Sequence, residues 1–244
     1  MKGAALIDET GLRIDGTVMP IESYRLAVLS GLHPLEEAMR EAVAENWAIE
    51  HAANPKLFDG KMILQHRIRL AGASIEAEGY VSSFSTFLWW RKQEDRAGAC
   101  HLFGYPVLAS SDGALIAVEM APHTANAGQV YFAAGSLDLS DVVDGVCDLA
   151  GNMRREVLEE TGVDLLQART DGLVYASYRP CRLTFFQIFQ FDAAADELIE
   201  AINLFARDAE EQEISGAVAI RNGDHKAHRY NPAMLPILDW YFTP

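Results

Sequence analysis

Near the middle of the chain, Arg155-Glu156-Val157-Leu158-Glu159-Glu160-Thr161-Gly162-Val163 sets three carboxylates at i, i+3 and i+4 between an arginine and a glycine. On an α-helix those offsets bring Glu156, Glu159 and Glu160 onto one face about one turn deep, where the charges repel unless a cation sits among them. Hard oxygen ligands favour Mg2+ or Mn2+. The competing reading is a solvated acidic helix face. Five fixed positions of this kind arise by chance in on the order of one chain of this length in a few thousand, which disfavours coincidence.

The flanking residues predict a helix over roughly 149 to 161. Leu149, Met153 and Val157 recur every four residues, Asp148 can cap the start, and Gly162 can supply the left-handed end. Continuing the Leu149/Met153 column leads to Glu156 and Glu160, so these acids adjoin a packed stripe. Arg155 stands one turn before Glu159 and can orient its carboxylate.

With those residues in view, the segment resembles the Nudix hydrolases, whose signature helix reads R-E-(apolar)-x-E-E-x-G-(apolar), matched from Arg155 to Val163. Upstream the family has a strand ending in an F-P-G-G-like turn, and this chain has Tyr131-Phe132-Ala133-Ala134-Gly135 there. Phe132 and Gly135 fit, whereas Ala133 and Ala134 depart. Where the family's spacing expects a glycine and a glutamate, this chain has Asp141 and Cys147. An insertion reconciles the two, with Gly135 as the loop glycine and a longer loop carrying Asp138, Asp141, Asp144, Gly145 and Asp148. The aspartates read first as turn and cap residues and only second as extra ligands. Their order does not fit an EF-hand.

The resemblance implies an α/β fold of the α+β kind: an α/β/α sandwich around a mixed sheet over residues 96 to 244, preceded by an α+β extension over 1 to 95. It implies Mg2+ or Mn2+ held by Glu156, Glu159, Glu160 and the backbone of Gly135 or its neighbour Ala134. Arg155, Glu156 and Glu213 are the expected catalytic side chains. Relatives often bring a general base from a loop after the box, and Glu210, Glu211 and Glu213 precede the apolar segment Ala217 to Ile220. Glu213 lies nearest that strand and is preferred, although any of the three could be a solvated helix end. The implied reaction is hydrolysis of a diphosphate linkage in a nucleoside diphosphate joined to another group X, with a nucleotide sugar or an ADP-ribose-like compound favoured by elimination. Dinucleoside polyphosphates are a second substrate class, and Tyr178-Arg179-Pro180 falls near the region where some relatives select substrates. A non-catalytic nucleotide sensor on the same fold is the alternative that the altered Ala133-Ala134 turn and the inserted loop favour. RNA caps and isoprenoid diphosphates have no residue pattern here.

Charge narrows the partners. A net charge of −15 and a pI near 4.8 repel nucleic acid and anionic membranes, while a small anionic substrate remains accessible through bound cations. Cys100, Cys147 and Cys181 are odd in number and widely spaced, which predicts no disulfide framework and a reducing compartment. No secretion signal and no run of membrane-spanning length is legible, so a cytoplasmic location is expected. The extension is a candidate surface for homodimerisation or for covering the substrate.

Along the chain, Leu35, Met39, Val43 and Trp47 predict a helix that breaks at Asn54-Pro55. Strands follow around Met62 to Leu70, with a turn at Gly72, and a further strand is expected through Phe84, Phe87, Trp89 and Trp90. Those aromatics could stack on a base but more often pack internally. His66 reads as a core histidine. The charged run Arg91 to Arg96 marks the boundary. Ser110-Ser111-Asp112-Gly113 reads as a hairpin before a strand over 114 to 120, and 129 to 132 as the strand entering the motif loop. Strands at 173 to 175 and 183 to 191, a helix through Leu198, Ile202 and Phe205, and a terminal helix over 234 to 242 complete the reading.

Overall fold

A buried run from Met62 to Gln65 and alternating burial from Ser74 to Gly79 build the first sheet of the computed structural model, which describes residues 7–96, 98–209 and 212–243. After β1 (Met19–Ile21) and β2 (Ser23–Leu32) come helices α1 (Pro34–Ala38) and α2 (Arg40–Ala53), then β3 (Lys61–Ala71) and β4 (Ser74–Ser83). Gly72, with φ +66°, turns β3 into an antiparallel pairing with β4, and β4 runs parallel to β2. The fold is mixed α+β, with two sheets and six α-helices among the described residues. That content is compatible with a sandwich built around a mixed sheet.

The chain divides into two compact units. The first gathers Met1–Phe103, Ser136–Leu149 and Tyr178–Leu183, and the second Gly104–Gly135, Ala150–Ser177 and Thr184–Pro244.

In the first unit the strand expected through the aromatics is instead helix α3 (Phe84–Trp90). The Ser83 side chain accepts from the Thr86 N–H at 3.2 Å, and the Ser85 N–H donates to Asp59 at 2.7 Å, so the chain is capped into a helix as it leaves β4. Phe84, Phe87 and Trp90 are three apart, which is one helical face, and Phe87 and Trp90 join Met62, Leu64 and Ala99 in a cluster against which Phe84 and Trp89 pack. The aromatics therefore build core. His66 behaves as a structural histidine, its Nδ1 3.2 Å from the Gly98 carbonyl oxygen and its ring edge-on to Tyr80. His33 had no sequence signal. It is fully buried, its Nδ1 accepts from the Leu35 N–H at the start of α1, and burial pushes its imidazole down to about 4.

The aspartate-rich loop also lies in this unit and uses its acids for turns. Asp138 caps the one-turn 3-10 helix Leu139–Asp141 by accepting from the Ser140 N–H at 2.6 Å, while Asp141 accepts from the Asp138 N–H at 2.9 Å. Asp144 and Gly145 have φ of 50° and 74°, the pair of left-handed residues that a two-residue hairpin requires. They join β8 (Val142–Val143) to β9 (Val146–Cys147), and the first sheet runs β3-β4-β2-β9-β8.

The second unit contains most of β5 (His101–Ala109), all of β6 (Leu115–Met120) and β7 (Val130–Tyr131), and most of β10 (Val174–Arg179) and β11 (Arg182–Gln190). With β12 (Ile214–Ile220) they run β10-β11-β5-β6-β12, and β7 lies antiparallel to β6. The hairpin at Ser110 to Gly113 forms as its residues predict, with φ +82° at Gly113. Helix α4 (Leu149–Thr161) has the predicted bounds, α5 (Ala195–Asp208) packs on β12 and β6, and α6 (Leu235–Phe242) closes the chain. The core here includes Leu115, Phe132, Met153, Val157, Phe185 and Phe186. No helix among the described residues is long and apolar enough to cross a membrane.

Gly162 ends α4 with φ +70°, and its N–H donates to the Leu158 carbonyl at 2.9 Å. A Cβ there would meet the Phe205 ring at 2.5 Å. Gly162→Ala is expected to cost about 1–3 kcal/mol of stability, from strain and overpacking together, read as a lower urea midpoint at unchanged slope.

Candidate active site

Helix α4 positions the carboxylates because its apolar stripe must be buried. Leu149, Met153 and Val157 are all within 1% of complete burial, while Leu158 on the opposite side is exposed. Glu156 and Glu160 flank that stripe and are drawn inward with it. The Glu156 side chain keeps 13% of its exposure, against 59% for Glu159. Glu160 goes furthest: its Oε2 is sealed from solvent and has no hydrogen-bond partner among the described residues.

Burial pushes the Glu160 carboxyl well above the usual carboxylate range, and the negative charges of Glu156, Glu213 and Glu159 push it further. Glu213, from the segment before β12, is one of the acids whose charge acts on Glu160. Glu213 is exposed, and its carbonyl oxygen accepts from the Ala121 N–H at 2.8 Å. Glu210 and Glu211 lie outside the described residues.

Arg155 provides the internal countercharge. It lies 2.8 Å from Glu156 Oε1 and 3.1 Å from Glu159 Oε2, so one guanidinium bridges two of the acids. Asn152 adds a contact that sequence reading did not single out. It is fully buried one turn before Glu156, and its Nδ2 donates to Glu156 Oε1 at 3.4 Å. The only sequence signal for it was that four-residue offset.

Gly135 closes against the same carboxylate. A Cβ at this position would collide with the Glu156 carboxyl group, so only glycine lets the loop backbone lie this close. Gly135, Glu156, Glu159, Glu160 and Glu213 thus all belong to the second unit. Among the described residues, no three His, Cys, Asp or Glu side chains already converge into a metal cage. The arrangement still suits a divalent cation, because a sealed carboxylate oxygen without a donor, beside three further acids, is stabilised by added positive charge. Tyr178 is committed elsewhere: its hydroxyl donates to Asp8 Oδ2 at 2.9 Å within the first unit.

No protein-family model matches the chain, and no curated protein matches it. Solved structures similar to it include DR0079 from Deinococcus radiodurans, with a TM-score of 0.40 and 13% identity over 58% of this chain and 83% of that one. The MutT protein from Methanosarcina mazei Go1 gives a TM-score of 0.31 and 16% identity over 49% of this chain and 75% of that one. At these scores the likeness assigns no residue and no activity.

Because the folded protein holds a proton on Glu160 more tightly than the unfolded chain, this group's contribution to metal-free stability falls as pH rises above the ordinary carboxylate range. Glu160→Gln is therefore expected to make the metal-free protein more stable at pH 7, by about 1–3 kcal/mol, with the difference shrinking towards pH 4. Denaturant titrations of both proteins at the two pH values check the sign.

Proposed function

We propose that the second unit hydrolyses a diphosphate linkage in a nucleoside diphosphate joined to another group X, with Mg2+ or Mn2+ as cofactor. A nucleotide sugar or an ADP-ribose-like compound is the favoured substrate class. The observation that carries this reading is the sealed, donorless Oε2 of Glu160 among Glu156, Glu159 and Glu213, on a helix whose sequence matches the Nudix signature from Arg155 to Val163.

Glu156, Glu159 and Glu160, with the backbone at Gly135, would hold the ion. When bound, it supplies charge neutralisation for the phosphate oxygens and Lewis acidity towards water. The chain's own residues do the rest. Asn152 and Arg155 orient the Glu156 carboxylate, and Arg155 also holds Glu159, the more exposed of the two acids. Water attacks one phosphorus, the bridging P–O bond breaks, and the second phosphate leaves with the bond's electron pair. The proton shed by the water passes to the Glu213 carboxylate, an exposed base whose charge acts on Glu160.

A sensor reading has one observation in its favour: Arg155 already pairs with Glu156 and Glu159, and no three ligands converge among the described residues. The two readings separate on turnover. We expect metal-dependent hydrolysis, followed by phosphate release in a coupled assay, against a panel of nucleotide sugars, ADP-ribose, dinucleoside polyphosphates and nucleoside triphosphates. Glu160→Gln should lower it by about 100-fold or more while the circular dichroism spectrum is retained, and Glu159→Gln should also lower it. Silence across the panel with nucleotide binding intact would establish the sensor, and normal activity in both variants would remove these glutamates from the site.

A further inference from the structure

A diphosphate ester brings at least two negative charges to a site already crowded with carboxylates, so some fixed cation must receive the part of the substrate away from the metal. The second unit has seven lysines and arginines: Arg154, Arg155, Arg169, Arg207, Arg221, Lys226 and Arg229. Three are bound to acids, Arg155 to Glu156 and Glu159, Arg169 to Asp192, and Arg221 to Asp112 and Asp196. Arg229 differs from these. It is exposed, and its guanidinium donates through Nη1 to the Ala127 carbonyl at 3.1 Å, with no carboxylate partner among the described residues. A carbonyl orients a guanidinium without neutralising it, and the other N–H donors of the fork remain for a ligand.

The backbone ladder ties this charge to the segment that carries Glu213. Glu213 enters β12 with its carbonyl bound to the Ala121 N–H, and the next residue, Ile214, sits opposite Met120. The loop that leaves β6 there returns at once, because the Gly128 N–H donates to the Met120 carbonyl at 3.0 Å. Ala127, the residue that holds Arg229, is therefore at the closing end of the loop whose opening end holds Glu213. The Arg229 carbonyl in turn accepts from the Val130 N–H at 2.9 Å, at the start of the strand that leads to Gly135. One short loop thus fixes the expected base at one end and an unneutralised guanidinium at the other.

We propose that Arg229 anchors a phosphate of the substrate, the one more distant from the Glu156, Glu159 and Glu160 cluster, and so selects for diphosphate-bearing ligands. This inference rests on the diphosphate reading above. Apart from Arg221, whose charge is met by Asp112 and Asp196, the segment from 221 to 229 carries Lys226 and Arg229 against the single acid Asp224, in a chain of net charge −15. The segment is held in shape by its own turns, with the Asp224 N–H donating to Asn222 and the Lys226 N–H to Asp224, both at 3.0 Å.

The test pairs Arg229→Gln and Arg229→Lys with the unaltered protein. Calorimetric titration with methylenediphosphonate, a diphosphate that cannot be hydrolysed, in Mg2+ should give a Kd at least tenfold weaker for Arg229→Gln and partial recovery for Arg229→Lys, at unchanged Tm. On a substrate that is turned over, the same variants should raise KM by a similar factor and leave kcat within about twofold. Equal Kd in all three proteins, or no binding by the unaltered one, overturns the anchor. Absence of turnover in the unaltered protein overturns the hydrolase reading alone, because the diphosphonate titration still decides the role of Arg229.

Discussion

Burial of the Leu149, Met153 and Val157 stripe on α4 is the constraint on which the candidate site depends. Packing those three side chains fixes the rotation of the helix, and that rotation decides how deep each glutamate lies. Glu160 is the most deeply committed and Glu159 the least, although they are neighbours in sequence. A helix turned by one residue would exchange those environments, giving a solvated acid where the structure has a sealed one. The hydrophobic effect thus sets an electrostatic pattern that carboxylates alone would avoid.

Arg155 limits the cost of that pattern without removing it. Its contact with the exposed Glu159 is an i, i+4 surface pair, worth roughly 0.3–0.5 kcal/mol, and easily exchanged for another cation. Its contact with Glu156 is more enclosed and is supported by Asn152. The guanidinium therefore grips one acid firmly and the other loosely, while the sealed Oε2 of Glu160 has no hydrogen-bond partner among the described residues. A protein in this state keeps a charge deficit at one position and a counterion that can yield at the next.

Helix α4 was legible to its bounds because apolar period, cap glycine and charge placement agree within thirteen residues. The hairpins at Gly113 and at Asp144-Gly145 follow from local turn chemistry in the same way. Residues 84 to 90 were misread because aromatic residues carry strand propensity, whereas the Ser83 cap and the three-residue spacing decide the outcome. Local signals could not find His33, whose burial is tertiary, or Arg229, whose position depends on pairings with residues about a hundred positions away. The choice of Glu213 among three neighbouring acids is legible only as a preference, since where its segment lies depends on how β12 registers on β6.

That register has a further consequence at the sheet margin. β12 is the last strand in its order, and its ladder shifts between Ile214 and Gly216. Asn203 of α5 reaches down to accept the Ala217 N–H at 2.8 Å, filling with a side-chain amide a hydrogen bond that another strand would otherwise make. Gly216 leaves just enough room for it, since a Cβ there would stand 3.0 Å from Asn203 Oδ1. An irregular, partly capped margin is a poor template for the strand of a second molecule. The helix that covers the sheet thereby guards the chain against self-association through this edge.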